Sequence, residues 1–159
     1  MTIVLDRPWD MAGVDGHRAA RALFGEAVDH LAPFQSLETK LGGMPCGVLR
    51  LGDHNFRIAY PGPLGEQVAA LQMKVWVRQL PWMSAVAVPM EQFQKIAAQA
   101  TVRAPHRLRG LPMHRAVPAQ VEAISVLIWR RLLNGQSILE LNMATSSVER
   151  LLGWLDRLD

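Results

Sequence analysis

Gly135 to Gly153 reads GQSILELNMATSSVERLLG and has the layout of a helix-turn-helix. Ile138 and Leu141 lie one helical turn apart and can face the same side of a helix. Asn142 follows where a sharp turn needs a residue that tolerates positive φ. A Thr or Ser directly after the turn can cap a second helix, whose first N–H groups otherwise lack partners. The stretch predicts two short helices that meet near Asn142. The alternative is an ordinary helical hairpin that closes a small domain.

The stretch that precedes it, residues 118–134, predicts a third helix. It begins with a proline, which the first turn of a helix accepts, and it ends at Asn-Gly, a common helix stop. Its apolar residues recur at helical spacing: Val121, Ile124, Ile128 and Leu132. Residues 118–159 are therefore predicted to be three helices in tandem.

Residues 102–117 form a basic, proline-containing linker between this helical unit and the rest of the chain. No acidic residue occurs between Glu91 and Glu122. One interpretation is that the arginines of the linker contact phosphates and supply salt-dependent affinity, and the other is an ordinary solvated loop. The arginines concerned are Arg103, Arg107, Arg109 and Arg115.

Residues 1–101 predict a small α/β domain. Apolar residues recur every four positions between 14 and 31, which favours a helix, and alternation around a turn at 52–55 favours a β-hairpin. Residues 66–80 fit either a helix or a strand, and their β-favouring residue types favour the strand. A further helix is predicted to begin at Pro89. The fold class is therefore α+β: a small antiparallel β-sheet with flanking helices, followed by the C-terminal three-helix unit. The sequence shows no internal repeat.

Composition narrows the classes of protein that fit. Half of the 159 residues are apolar, so the chain can bury a core. The formal net charge is +3, which permits a polyanionic partner without demanding one. A single cysteine fits a reducing compartment, and neither a signal peptide nor a membrane-spanning stretch is evident, so we predict a cytoplasmic protein. No spacing of histidines, cysteines or acids predicts a metal, a cofactor or a catalytic site, so no enzyme is expected.

Residues 88–142 resemble a helix-turn-helix domain of unknown function that occurs in regulators of proteobacterial integrative and conjugative elements. The resemblance is carried by VPMEQF, RLRGLP, a helix begun by proline and LNGQSILEL, in this order. Members of that family are activators of element excision and transfer, or small antiactivators that bind the activators. The final helix of this chain is shorter than the family pattern. The resemblance implies a transcriptional regulator.

Two hypotheses for function follow. In the first, the protein is a non-enzymatic transcriptional regulator that binds duplex DNA. The linker arginines would hold phosphates, and the start of the last helix would contact bases. The residues predicted to make those base-side contacts are Thr145, Ser146, Ser147 and Arg150.

In the second hypothesis, the protein is an adaptor or antiactivator that sequesters a partner transcriptional regulator without contacting DNA. An exposed apolar patch would then bind that partner or a second copy in a homodimer. The residues predicted for this patch are Trp129, Leu151, Trp154 and Leu155.

Overall fold

The structure is a computed structural model that describes residues 2–158. Its strands and helices are, in chain order, β1 (Ile3–Leu5), β2 (Trp9–Ala12), α1 (Gly16–Phe24), β3 (Ser36–Leu41), β4 (Met44–Arg50), β5 (Asn55–Ala59), α2 (Leu64–Ala69), β6 (Trp76–Gln79), β7 (Met83–Pro89), α3 (Phe93–Gln99), β8 (Arg115–Val121), β9 (Ile124–Leu133), β10 (Gln136–Ala144) and α4 (Val148–Asp156). Short 3₁₀ turns occupy Glu26–His30, Met90–Gln92 and Thr145–Ser147. Among the described residues, no helix is long and apolar enough to cross a membrane.

The chain divides into two units. The first unit is residues 6–80, and the second unit is residues 2–5 together with 81–158. The boundaries predicted at 101 and 117 both fall inside the second unit.

The first unit is a five-stranded antiparallel sheet in the order β3-β4-β5-β2-β6. The alternation around residues 52–55 forms the β4–β5 hairpin, in which Val48 lies opposite Ile58. Residues 66–80 hold both predicted structures in succession, since α2 ends at Ala69 and β6 begins at Trp76. One face of the sheet carries the core, which includes Met11, Ala20, Phe24, Val48, Phe56, Ile58, Leu64 and Val68.

The second unit is also a five-stranded antiparallel sheet, in the order β1-β7-β10-β9-β8. Helices α3 and α4 supply apolar side chains to the core on one of its faces. That core includes Val86, Val88, Phe93, Ile96, Val126, Ile128, Leu139, Leu141, Leu151 and Trp154. Buried apolar side chains on both helices and on the central strands hold the sheet and its helices together.

The predicted C-terminal helix-turn-helix is wrong. Residues 136–144 form β10, a central strand that pairs with both β7 and β9. Asn142 is not at a bend: it lies in mid-strand opposite Ala85 and Leu127 and is 2% exposed. Leu139, Leu141 and Met143 belong to the core of the second unit, and Glu140 and Asn142, which alternate with them, are also buried. Ile138 and Leu141 therefore matched helical spacing by coincidence.

The helix predicted for residues 118–134 is wrong for a related reason. Strands β8 and β9 occupy the region, joined by a two-residue turn at Glu122 and Ala123, whose φ values are +47° and +63°. Pro118 lies within β8, an edge strand, where a proline is tolerated. Val121, Ile124 and Ile128 share the core face of this hairpin. Their spacing fits the two-residue repeat of a strand as well as the 3.6-residue repeat of a helix. The chain therefore ends in one helix, α4.

The two units repeat one topology. In the first unit the order is strand, helix, three strands, helix and edge strand, and the second unit has the same order from β7 to α4, with β1 as its edge strand. Equivalent residues between 31 and 50 are offset by 80. Gly42 and Gly43 form the β3–β4 turn with φ of +57° and +80°, at the positions of Glu122 and Ala123. The sequence analysis found no repeat, and the structure contains one.

Candidate functional site

The arginine loop, which we define as residues 101–115, connects α3 to β8 in the second unit. It carries four arginines, and all four are exposed. No ion pair joins any of these guanidinium groups to a carboxylate among the described residues. The four are Arg103, Arg107, Arg109 and Arg115, the residues that the sequence analysis singled out.

The loop is held against the sheet at several points, so its arginines are presented on an ordered backbone. Leu108 and Leu111 are 5% and 2% exposed and belong to the core of the second unit. Thr101 pairs with Gln120 of β8 at the beginning of the loop. Because Leu108 points into the core, the arginines on either side of it in the sequence remain at the surface.

Arg130 of β9 clamps the far end of the loop. Its Nη1 donates to the Leu111 carbonyl over 2.8 Å, and its own carbonyl accepts from the His114 N–H over 2.8 Å. The pKa of the His114 imidazole is lowered, first by its burial and second by the positive charge of Arg131. His114 therefore adds no charge to the loop at neutral pH.

What this loop can do chemically is bind anions. A guanidinium group offers paired N–H donors in a planar fork that fits a carboxylate or a phosphate. An ordered backbone lowers the conformational entropy lost on binding. The loop carries no carboxylate and no thiol, and its exposed guanidinium groups make it a candidate anion-binding surface.

A buried polar cluster lies on the face of the second sheet opposite the helices. Glu140 accepts hydrogen bonds from Arg131 Nη1 and Asn142 Nδ2, both over 2.8 Å. The Arg131 guanidinium also lies 4.9 Å from the ring centre of Trp129. Both Glu140 oxygens therefore have hydrogen-bond partners, as a buried carboxylate requires, and the side chain is 2% exposed.

The first unit contains charged groups that are paired with one another. Arg57 donates to Asp10 over 2.7 Å on the sheet, and His17 and Arg21 both contact Asp29. The hydrogen bond from His17, followed by the charge of Arg21, holds the pKa of Asp29 below its ordinary value despite partial desolvation. An open surface depression of about 460 Å³ lies beside this cluster, lined by Arg18, Arg21, Ala22, Gly25, Glu26 and Met73. Both of its arginines already have carboxylate partners.

No group of three or more potential metal ligands occurs in the described part of the chain. The single cysteine, Cys46, is buried in the core of the first unit.

The residues predicted to contact DNA bases lie around the start of α4. Thr145, Ser146 and Ser147 form a 3₁₀ turn, and the Thr145 hydroxyl lies 3.0 Å from that of Ser84. Arg150 donates to the Glu122 carbonyl over 2.6 Å, so it is held against the β8–β9 turn. Among the described residues, no hydrogen bond or ion pair joins these side chains to the four arginines of the loop.

The residues predicted to form an exposed apolar patch are buried. Trp129 and Leu151 are fully buried, and Trp154 and Leu155 are each 3% exposed. Three of them pack in the core under the second sheet, and Trp154 also donates to Gln99 over 3.3 Å. What the sequence analysis missed is the clamp, because Arg130 lies in β9 and not in the linker whose arginines it considered.

Solved structures that share this fold include two enzyme chains. One is the glycine cleavage system aminomethyltransferase T from Bartonella henselae, with a TM-score of 0.74 and 14% identity over 97% of this chain and 45% of that chain. The other is a heterotetrameric sarcosine oxidase from Corynebacterium sp. U-96 in complex with pyrrole 2-carboxylate, with a TM-score of 0.72 and 21% identity over 99% of this chain and 80% of the matching one. This chain thus spans less than half of the aminomethyltransferase. No family model matches it, and a search of curated proteins finds no match.

These comparisons overturn four expectations. The resemblance to conjugative-element regulators is wrong, because the fold is that of chains from metabolic enzymes. The DNA-binding regulator and the antiactivator are both contradicted for the same reason. The expectation that no enzyme is involved is contradicted as well, since both similar structures are enzymes.

Proposed function

We propose that this chain is one subunit of a multi-chain enzyme of the sarcosine oxidase type, which oxidises a small N-methylated amino acid. The observation that carries the proposal is the fold match to one chain of a heterotetramer. Our chain is covered over 99% of its length, and the matching chain over 80%. The fold match therefore covers nearly all of this chain and most of the matching chain of the heterotetramer.

The aminomethyltransferase supports the fold but not a separate transferase function. The fold match covers 45% of that protein and 80% of the matching sarcosine oxidase chain. The exposed, unpaired arginine loop agrees with a chain that works in contact with another one. Arginine is enriched at protein interfaces relative to the rest of the surface.

Purification of the tagged chain from the cell that encodes it tests the proposal. We expect it to elute as a complex larger than the single chain, and sarcosine-dependent oxygen uptake should follow the complex through a sizing column. Glycine, which lacks the N-methyl group, serves as the control substrate. Pyrrole 2-carboxylate should suppress the activity. Elution as a single chain, with sarcosine oxidation in other fractions, would contradict the proposal.

A further inference from the structure

We infer that the arginine loop is the docking surface for an acidic segment of another protein chain. This inference rests on the proposed function, in which that chain is a partner subunit. The starting observation is electrostatic. Four exposed guanidinium groups lie within residues 101–115, and no carboxylate among the described residues pairs with them.

Like charges on one loop repel one another, and salt screens that repulsion only in part. The burial of Leu108 and Leu111 and the hydrogen bond from Arg130 to the Leu111 carbonyl stabilise the loop against this repulsion. Carboxylates of a second chain would relieve it and gain charge-assisted hydrogen bonds at the same time.

The equivalent connection in the first unit shows what a self-contained version of this loop looks like. Residues 25–35 carry Glu26 and Asp29. Both acids pair within their own unit, Glu26 with Arg21 and Asp29 with His17 and Arg21. The same structural position is thus neutralised internally in one unit and left cationic in the other.

The residue types favour a protein partner. Every basic residue after Lys95, apart from histidine, is arginine. Interfaces between proteins are enriched in arginine and depleted in lysine.

A pair of matched charge reversals tests the inference. R107E/R109E changes two exposed loop arginines, and R7E/K40E makes the same net change on exposed residues of the first unit. Binding to the partner subunits, separated from the purified enzyme, is measured for each by titration calorimetry. We expect the loop variant to bind about a hundredfold more weakly and the control within about threefold of the wild type. Unchanged circular dichroism spectra and melting temperatures verify that both variants fold.

Two probes make the test independent of the enzyme. A poly-L-glutamate peptide should bind the free wild-type chain and the control, and it should lose affinity for the loop variant. Equal affinity of both variants for the partner subunits would overturn the inference and leave the proposed function intact. Binding of mixed-sequence duplex DNA through the loop, without binding of polyglutamate, would also overturn it. If no multi-chain enzyme forms but polyglutamate binds through the loop, the proposed function fails and the acidic docking surface stands.

Discussion

The two units share a chain path but not a charge distribution. Arg50 in β4 donates to the Leu31 carbonyl over 2.6 Å, as Arg130 does to Leu111. The Phe34 N–H donates to the Arg50 carbonyl over 2.7 Å, as that of His114 does to Arg130. The clamped connection is internally neutralised in the first unit and cationic in the second. Both units therefore keep the clamp, whereas the surface charge of the clamped connection differs between them.

The clamp also shows how little sequence the repeated structure needs. Between residues 31–50 and 111–130, only the clamp leucine and the clamp arginine are identical at equivalent positions. Phe34 and His114 differ in chemistry but share φ values of +65° and +62°. One backbone conformation and one arginine–carbonyl hydrogen bond define this part of the repeat. The remaining positions keep only apolar character where the core demands it.

The largest expected difference between the units concerns their buried ion pairs. Glu140→Ala leaves Arg131 and Asn142 without their shared acceptor at a site where both charged side chains are at most 5% exposed. We expect a loss of about 3–5 kcal/mol in the free energy of unfolding, measured by urea denaturation. In the first unit, the side chains of Arg57 and Asp10 are 10% and 17% exposed. Asp10→Ala should therefore lower the free energy of unfolding by about 1–3 kcal/mol. Equal losses would show that the two pairs are energetically equivalent.

Removal of each clamp gives the next largest effect. Arg50→Ala and Arg130→Ala both leave a carbonyl without its donor, and each should cost about 1–3 kcal/mol. Arg50 should be the more costly, since its Nε also donates to the Gly52 carbonyl, whereas Arg130 Nε has no partner among the described residues. Amide hydrogen exchange at Phe34 and His114 reports each clamp separately. Each variant should speed exchange only at the amide of its own clamp. If one variant speeds exchange at both amides, the two clamps are not independent.

Exchange of turn residues between the units has a smaller, reciprocal effect. Ala123 has φ of +63° and Gly43 has φ of +80°, and glycine adopts this region without steric cost. Ala123→Gly should stabilise the chain by about 1 kcal/mol, and Gly43→Ala should destabilise it by a similar amount. An added Cβ at Gly43 meets no atom within 4 Å, so its cost is one of backbone conformation alone. Thermal melts of the two variants should shift in opposite directions, and parallel shifts would contradict the equivalence of the turns.

The smallest effect is a dependence on pH that belongs to the second unit. The pKa of His114 is lowered from 6.5 in the folded chain, so the unfolded chain takes up a proton more readily. Stability from this group is complete above pH 6.5 and is lost as the pH falls below that value. His114→Phe, which copies the first unit, should flatten the fall in melting temperature just below pH 6.5. The lowered pKa of Asp29 in the first unit affects stability only below its ordinary value of 3.8. The loss of stability at that lower pH should therefore be the same in the wild type and in His114→Phe.

The first unit was the easier one to predict from sequence. The β4–β5 hairpin shows period-two alternation around Gly52, and its turn residues are unambiguous. Strand β10 carries buried residues on both faces, including Glu140 and Asn142, so its pattern matched a helix equally well. Long-range pairing with β7 and β9, which no local pattern encodes, decides its structure.

The candidate site was visible in the sequence only as a charge pattern. The lack of acids from Glu91 to Glu122 drew attention to the arginines of the loop, and the structure places all four at the surface. Their clamp was not visible, because Arg130 and Leu111 meet only after β8 and β9 have paired. Charge alone also does not distinguish a phosphate from a carboxylate as the partner, and the false helix-turn-helix led to the choice of DNA.

The ionic-strength dependence of subunit association tests the central claim most directly. The dissociation constant between this chain and its partner subunits is measured across a series of salt concentrations for the wild type, R107E/R109E and R7E/K40E. If the arginine loop docks an acidic segment, affinity of the wild type and the control should fall steeply with salt, because salt screens exposed charges. The loop variant should bind weakly and lose this dependence. Identical salt dependences for all three proteins would contradict the account.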